Sequence, residues 1–182
     1  PIYQEIRDRL GEANTLQSLG NLLRAEEKYD DAVESLMKAV EIHLSIPDIF
    51  SVSGDLVYLT RTLNAQQKYH AAVMISEMAF SIFKTVKDYW GQALILNDQG
   101  EAFSGMENQS AECAAKWLSL QILQKIQPQS ATGRNLLQFF QSLEQQMESS
   151  EYQSLISELE QHAESIRQYA VAEVKQSQGE DA

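Results

Sequence analysis

The residues best suited to metal binding or nucleophilic chemistry in this 182-residue chain are three histidines and a single cysteine. His43, His70 and His162 lie far apart. None has another His or Cys three or four positions away, the spacing that puts two ligands on one helix face. Glu158 and His162 are four apart, but two ligands do not make a metal site, and they read as a solvated ion pair. Cys113 stands in Ala111-Glu-Cys-Ala-Ala. No His is suggested near it to take up its proton, so it reads as a small packing residue rather than a nucleophile. A Gly-rich phosphate loop, His-Glu-x-x-His and Cys-x-x-Cys are all missing from the sequence. The residue types therefore point away from an enzyme, and neither a cofactor nor a metal is expected.

The bulk properties narrow the class further. Fourteen basic against twenty-six acidic residues leave a net charge of −12. Nucleic-acid binding needs a basic face to meet phosphates, so it is not expected. Hydrophobic residues at 43% and charged residues at 22% describe a chain that folds. Three prolines and eight glycines are few for a turn-rich β-sandwich and suit helices. One cysteine fits a reducing, cytoplasmic setting. No run approaches the roughly 20 apolar residues of a membrane span, so no membrane partner is expected. The start, Pro-Ile-Tyr-Gln-Glu-Ile-Arg-Asp-Arg-Leu, has neither the apolar core of a signal peptide nor an initiator Met. It reads as a fragment of a larger regulatory protein.

The elements emerge when the sequence is displaced by 40 residues. Ile2, Ile42, Ile82 and Ile122 then align, as do Ile6, Ile46, Val86 and Ile126. Asp8, Asp48 and Asp88 align, and small residues recur at Gly11, Ser51, Gly91 and Ala131. Leu16, Leu56, Leu96 and Leu136 are identical, and Lys28-Tyr29 returns as Lys68-Tyr69. Each unit reads as two helices. Leu16, Leu19, Gly20 and Leu23 recur at i, i+3, i+4 and i+7, one face of a helix. After a break near Ala25 to Tyr29, a second stripe runs through Ala32, Leu36, Ala39, Val40 and His43. Small residues at Gly20, Ala32 and Ala39 allow the two backbones to approach closely. Helices of about 15 residues cannot bury their faces alone, but stacked units can. The fold class is therefore all-α, a right-handed solenoid of stacked helix-turn-helix hairpins. Residues 1–10 read as the end of a preceding unit's second helix. Units follow at 11–50, 51–90 and 91–130. Residues 131–175 read as a divergent fourth unit plus a capping helix, and 176–182 as a disordered tail.

Leu16, Leu19, Gly20, Leu23, Tyr29, Ala32, Leu36 and Ala39 resemble the tetratricopeptide-repeat signature. The usual period of that family is 34. The 40-residue period, with Leu19-Gly20-Asn21, is similar to the longer variant found in the Leu-Gly-Asn-repeat spindle adaptor, kinesin light chain and many bacterial regulators. The match weakens along the chain. In the fourth unit Phe140 replaces the small residue of the first helix.

The resemblance implies a concave groove lined by the first helix of each unit, the A helix, where a partner's peptide or helix is held. The A-helix positions facing away from the Leu stripe are Asn14, Gln17, Asn21 and Arg24 in unit one. They are Val57, Arg61 and Asn64 in unit two, Leu94, Asn97 and Glu101 in unit three, and Arg134, Leu137 and Gln141 in unit four. A carboxamide both donates and accepts, so Asn and Gln can pair with a peptide group on both sides. Arg24, Arg61 and Arg134 are suited to bidentate capture of partner carboxylates. The partner-binding set is thus Asn14, Gln17, Asn21, Arg24, Arg61, Asn64, Asn97, Glu101 and Arg134, centred on Arg61, Asn64 and Asn97. Gln17, Tyr58, Leu94 and Asp98 stand where the chaperone-tail clamp of this family would need Lys, Asn, Lys and Arg, which argues against that ligand. The expected function is a protein–protein interaction module. Self-association through the N-terminal face at Ile2 and Ile6, or sensing of a peptide signal, are the alternatives. The C-terminal helix, apolar at Tyr152, Leu155, Ile156, Leu159, Ala163 and Ile166, is expected to cap the array. The alternative places it in the groove as an autoinhibitor.

Overall fold

A computed structural model describes residues 8–46 and 48–180, with side chains described up to residue 177. Ile2 and Ile6, and the expected end of a preceding helix at 1–7, lie outside the described residues. Among the described residues eight helices follow one another: α1 (Arg9–Ala25), α2 (Tyr29–Ser45), α3 (Ile49–Ala65), α4 (Tyr69–Thr85), α5 (Tyr89–Gly105), α6 (Gln109–Ile126), α7 (Ala131–Gln146) and α8 (Ser149–Glu180). Among the described residues there are no strands. The chain is an all-α helical-repeat solenoid, each helix packed on the next.

The aligned aspartates cap the A helices. Asp8, Asp48 and Asp88 precede α1, α3 and α5, and each carboxylate accepts the amide N–H three residues on, from Gly11 at 2.9 Å, Ser51 at 3.1 Å and Gly91 at 2.9 Å. Such a cap satisfies an amide that has no partner within the helix, a contribution of about 1 kcal/mol. The turns between paired helices also repeat. Glu27, Gln67 and Glu107 adopt left-handed φ values of 61°, 60° and 59°. The next amide then reaches back to the last turn: Lys28 donates to the Leu23 carbonyl, Lys68 to Leu63 and Asn108 to Phe103. This closes the helix end in the manner usually assigned to glycine.

The small residues make the close approach expected of them. A Cβ built on Gly20 would lie 2.6 Å from Leu36 Cγ, and Leu36, Ala32 and Ala39 are fully buried. The three hairpins α1–α2, α3–α4 and α5–α6 therefore stack as one series. The A helices also touch from unit to unit, α1 with α3 and α3 with α5, while successive second helices, α2, α4 and α6, are held further apart. Closer spacing on the A side places it on the inside of the curve.

The fourth unit departs from this pattern. Its helix starts late: Ser130 caps α7 through the Gly133 amide at 3.1 Å, so the capping position is two residues beyond the repeat. Phe140, where a small residue belongs, is buried edge-on against Trp117 and Phe139, at ring separations of 5.2 and 5.1 Å. The ring thus faces α6, and α7 and α8 do not close as a hairpin. Instead α7 rests on α6, and α8 folds back along α6 and α4. Leu159 and Ala163 pack with α6 and α7, while Ala170, Val171 and Val174 pack with Val73, Ala111 and Ala115. Helix α8 runs on through part of the expected tail, to Glu180. Residues 181–182 lie outside the described residues.

Candidate functional site

The inner row of A helices carries the polar side chains singled out from the sequence. It brings several of them together and commits most of them to other residues of the chain. In the centre, Arg61 Nε donates to Asp98 Oδ2 at 2.7 Å. Asn64 Nδ2 donates to the Asp98 backbone carbonyl at 2.8 Å. Asn97, the neighbour of Asp98, is half-buried beside them, and Glu101 one turn on receives Lys116 Nζ at 2.9 Å. Burial pushes the Asp98 carboxyl up to about 6, against the opposing pull of Arg61. Lys116 is itself buried. Although burial works against its charge, Glu112 and Glu101 hold its ammonium above the ordinary value, and it lies 4.3 Å over the Phe139 ring. Gly100 makes room for its stem, since a Cβ there would fall 2.8 Å from Lys116 Cγ.

The first A helix is tied to the second in the same way. Gln17 Nε2 donates to Asp55 Oδ1 at 2.7 Å, and the other carboxylate oxygen lies 2.7 Å from His43 Nδ1. His43 and Asp55 are fully buried, and burial raises the Asp55 carboxyl against the hydrogen bonds it accepts. Asn21 accepts from Arg24 at 3.0 Å within α1, and Asn14 is exposed.

Arg61 and Arg24 are engaged in part within the chain. Arg61 pairs through Nε with Asp98, and Arg24 bonds Asn21 through Nη2 while its buried Nε has no partner among the described residues. One expectation is corrected. Arg134 is not in the groove row, because α7 leaves the A-helix series, and its guanidinium bonds the Gln129 carbonyl in the preceding loop. With it go Leu137 and Gln141, both exposed on α7. Val57 is buried and Leu94 half-buried, so neither offers a polar handle.

Three groups escaped sequence reasoning. Asp98 organises the centre, His43–Asp55 locks unit one to unit two, and Arg167 on α8 is buried against Glu77 and Gln99. A signal for the first two exists in the spacing. Gln17–Asp55, Arg61–Asp98 and Asn64–Asp98 are separated by 38, 37 and 34 residues, the distance from one A helix to a slightly earlier turn of the next.

What remains open for a ligand lies at the C-terminal ends of α3 and α5. There a depression of about 340 Å³ is lined by Asn64, Tyr69, Glu101, Ser104 and Gly105. The Asn64 Oδ1 atom is buried and has no partner among the described residues. A buried carbonyl oxygen without a donor costs free energy until one arrives. Cys113 is buried with its thiol pushed up to about 11 by burial, which makes it a poor nucleophile. Glu158 and His162 are exposed on α8. Among the described residues no cluster of three metal-ligating side chains forms, and no helix is long and apolar enough to cross a membrane. The chain matches no protein-family model, and no curated protein matches it.

Proposed function

We propose that this chain is a protein–protein interaction module that captures a partner's peptide in the concave row of A helices and performs no chemistry of its own. The observation that carries this reading is the Asn64 carboxamide. Its donor is fixed on Asp98, and its acceptor is unspent beside an open depression. A peptide N–H is the complementary group. Asn97 and Asn14 supply further carboxamides along the row, and the resemblance to longer tetratricopeptide repeats points to the same use. Arg61 already pairs with Asp98, so the reading places recognition first on the peptide backbone, with the remaining guanidinium N–H groups of Arg61 and Arg24 as a second handle. A reducing, cytoplasmic setting fits the unpaired Cys113.

The test compares partner capture from native lysate by the wild type and by Asn64→Ala/Asn97→Ala, read by mass spectrometry. A partner held by the first and lost by the second supports the groove. Equal capture by both moves the site elsewhere.

Self-association through the N-terminal face is the second reading. Leu19 and Leu22 are exposed on α1, whereas their unit-two counterparts Leu59 and Thr62 are buried. A mass that stays monomeric at all concentrations removes it.

A further inference from the structure

The seat that α8 occupies is repeated one unit earlier, and there it is uncovered. On one side of the α8 seat, α4 supplies Val73, Glu77 and Phe80, with Lys84 beyond them. On the other side, α6 supplies Ala111, Ala115 and Leu118. Displacing these by 40 residues gives Val33, Met37, Val40 and Leu44 on α2, and Ala71, Ile75 and Met78 on α4. Each set follows an i, i+4, i+7 spacing, a continuous stripe along its helix. Val33, Ala71 and Ile75 are half-buried against the core that contains Leu36 and Leu59. Met37, Leu44 and Met78 remain 51%, 57% and 55% exposed.

The substitutions between the two seats are concerted. In the occupied seat Arg167 is buried, held by Glu77 and Gln99, with Ser76 bonded to Gln99 and Phe80 beneath the guanidinium. In the open seat Met37 stands for Glu77, Leu59 for Gln99, Leu36 for Ser76 and Val40 for Phe80. Every group of the seat that neutralises or solvates Arg167 is thus replaced by an apolar one, and only Glu164 of α8 itself remains to it. A helix seated there fits best if it is apolar where α8 carries its arginine, because a buried guanidinium that loses both Glu77 and Gln99 is disfavoured. This argues against the α8 helix of a second copy as the fitting occupant. Methionines at Met37, Met74 and Met78 give the surface an adaptable lining. Asp30, Glu34 and Glu41 lie on the exposed side of α2; Lys68 and Lys38 pair with the first two, which leaves the rim acidic at Glu41, and basic flanks on the occupant complement it there.

We propose that the trough between α2 and α4 is a second docking surface, on the convex side. It takes an amphipathic helix of another protein, with an unbroken apolar stripe and basic flanks, laid as α8 is laid between α4 and α6. This surface is separate from the concave groove and does not depend on it.

The probe is a labelled peptide of residues 152–177 carrying Arg167→Leu, with Glu158→Lys, Glu160→Lys and Glu173→Lys to supply the basic flanks, titrated into the full chain and followed by fluorescence anisotropy. The expected result is binding by the Leu peptide, at least tenfold weaker binding by the same peptide with its natural arginine, and at least tenfold loss when the chain carries Met37→Glu. Met37 is half-exposed, so that variant folds, which circular dichroism verifies. Three results overturn the proposal. One is no binding of the Leu peptide, and another is equal binding of both peptides. The third is binding unchanged by Met37→Glu, which would mean displacement of the chain's own α8. A concentration-dependent dimer abolished by Met37→Glu would make the occupant a second copy and equally overturn it.

Discussion

Replacing Arg167 with alanine probes what holds α8 to the solenoid. The guanidinium is 1% exposed, donates to Gln99 Oε1 at 3.0 Å and to Glu164 at 2.9 and 3.1 Å, and also bonds Glu77. It lies 4.7 Å over the Phe80 ring. Removing one partner of a buried charge network costs about 3–5 kcal/mol, because the groups left behind lose their compensation. Glu77 and Glu164 keep partial access to water, which lowers the expectation to about 2–3 kcal/mol. Gln99 does not, since it is buried and retains only Ser76 and a long contact to Glu77. Urea unfolding followed by circular dichroism measures the cost. Limited proteolysis reports α8 separately, since a repeat array need not unfold in one step. The expected pattern is early cleavage within α8 of Arg167→Ala and partial recovery in Arg167→Met/Glu77→Met, which restores an apolar contact. A loss below about 1 kcal/mol with α8 as resistant as in the wild type would refute the reasoning.

Gly20→Ala should destabilise by about 1–3 kcal/mol in the same unfolding assay, because its Cβ would meet the buried Leu36 at 2.6 Å. Gln67→Gly should stabilise by up to about 1 kcal/mol, measured as a rise in melting midpoint, since Gln67 holds φ at 60° without the freedom glycine has there. Asp98 titrates near 6 in the folded protein against an ordinary value of 3.8, so the folded state binds this proton more tightly. Stability should therefore fall as pH rises from about 4 to about 6 and level off above, by at most about 3 kcal/mol from this group. Asp55, raised by burial, adds in the same direction. Thermal melts across that range should show a shallower slope for Asp98→Asn than for the wild type, and equal slopes would contradict the assignment.

The repeat was legible because it is written in residues whose roles are local. Asp8, Asp48 and Asp88 cap helices, Gly20 and Ala32 set the approach of paired helices, and the aligned Leu56, Leu96 and Leu136 are buried. None of these needs knowledge of distant chain segments. The polar row was legible as a face but not as a network. Whether Arg61 is free or paired depends on Asp98, 37 residues away, and on how closely α3 and α5 approach. The path of α8 was hidden for a similar reason. Its apolar stripe fits a cap at the end of the array as well as a seat across α4 and α6. The choice turns on Glu77 and Gln99 receiving Arg167. Buried His43 was unremarkable in the sequence because its partner Asp55 belongs to the next unit.

The central claim, recognition in the concave row, is tested most directly by a photo-crosslinking amino acid placed at Asn97, with the same group at exposed Gln161 on α8 as the comparison. After irradiation in native lysate, the account predicts a discrete crosslinked partner from position 97, diminished by Asn64→Ala, and none of that partner from position 161. A partner captured only from 161, or captured from 97 regardless of Asn64→Ala, would contradict it.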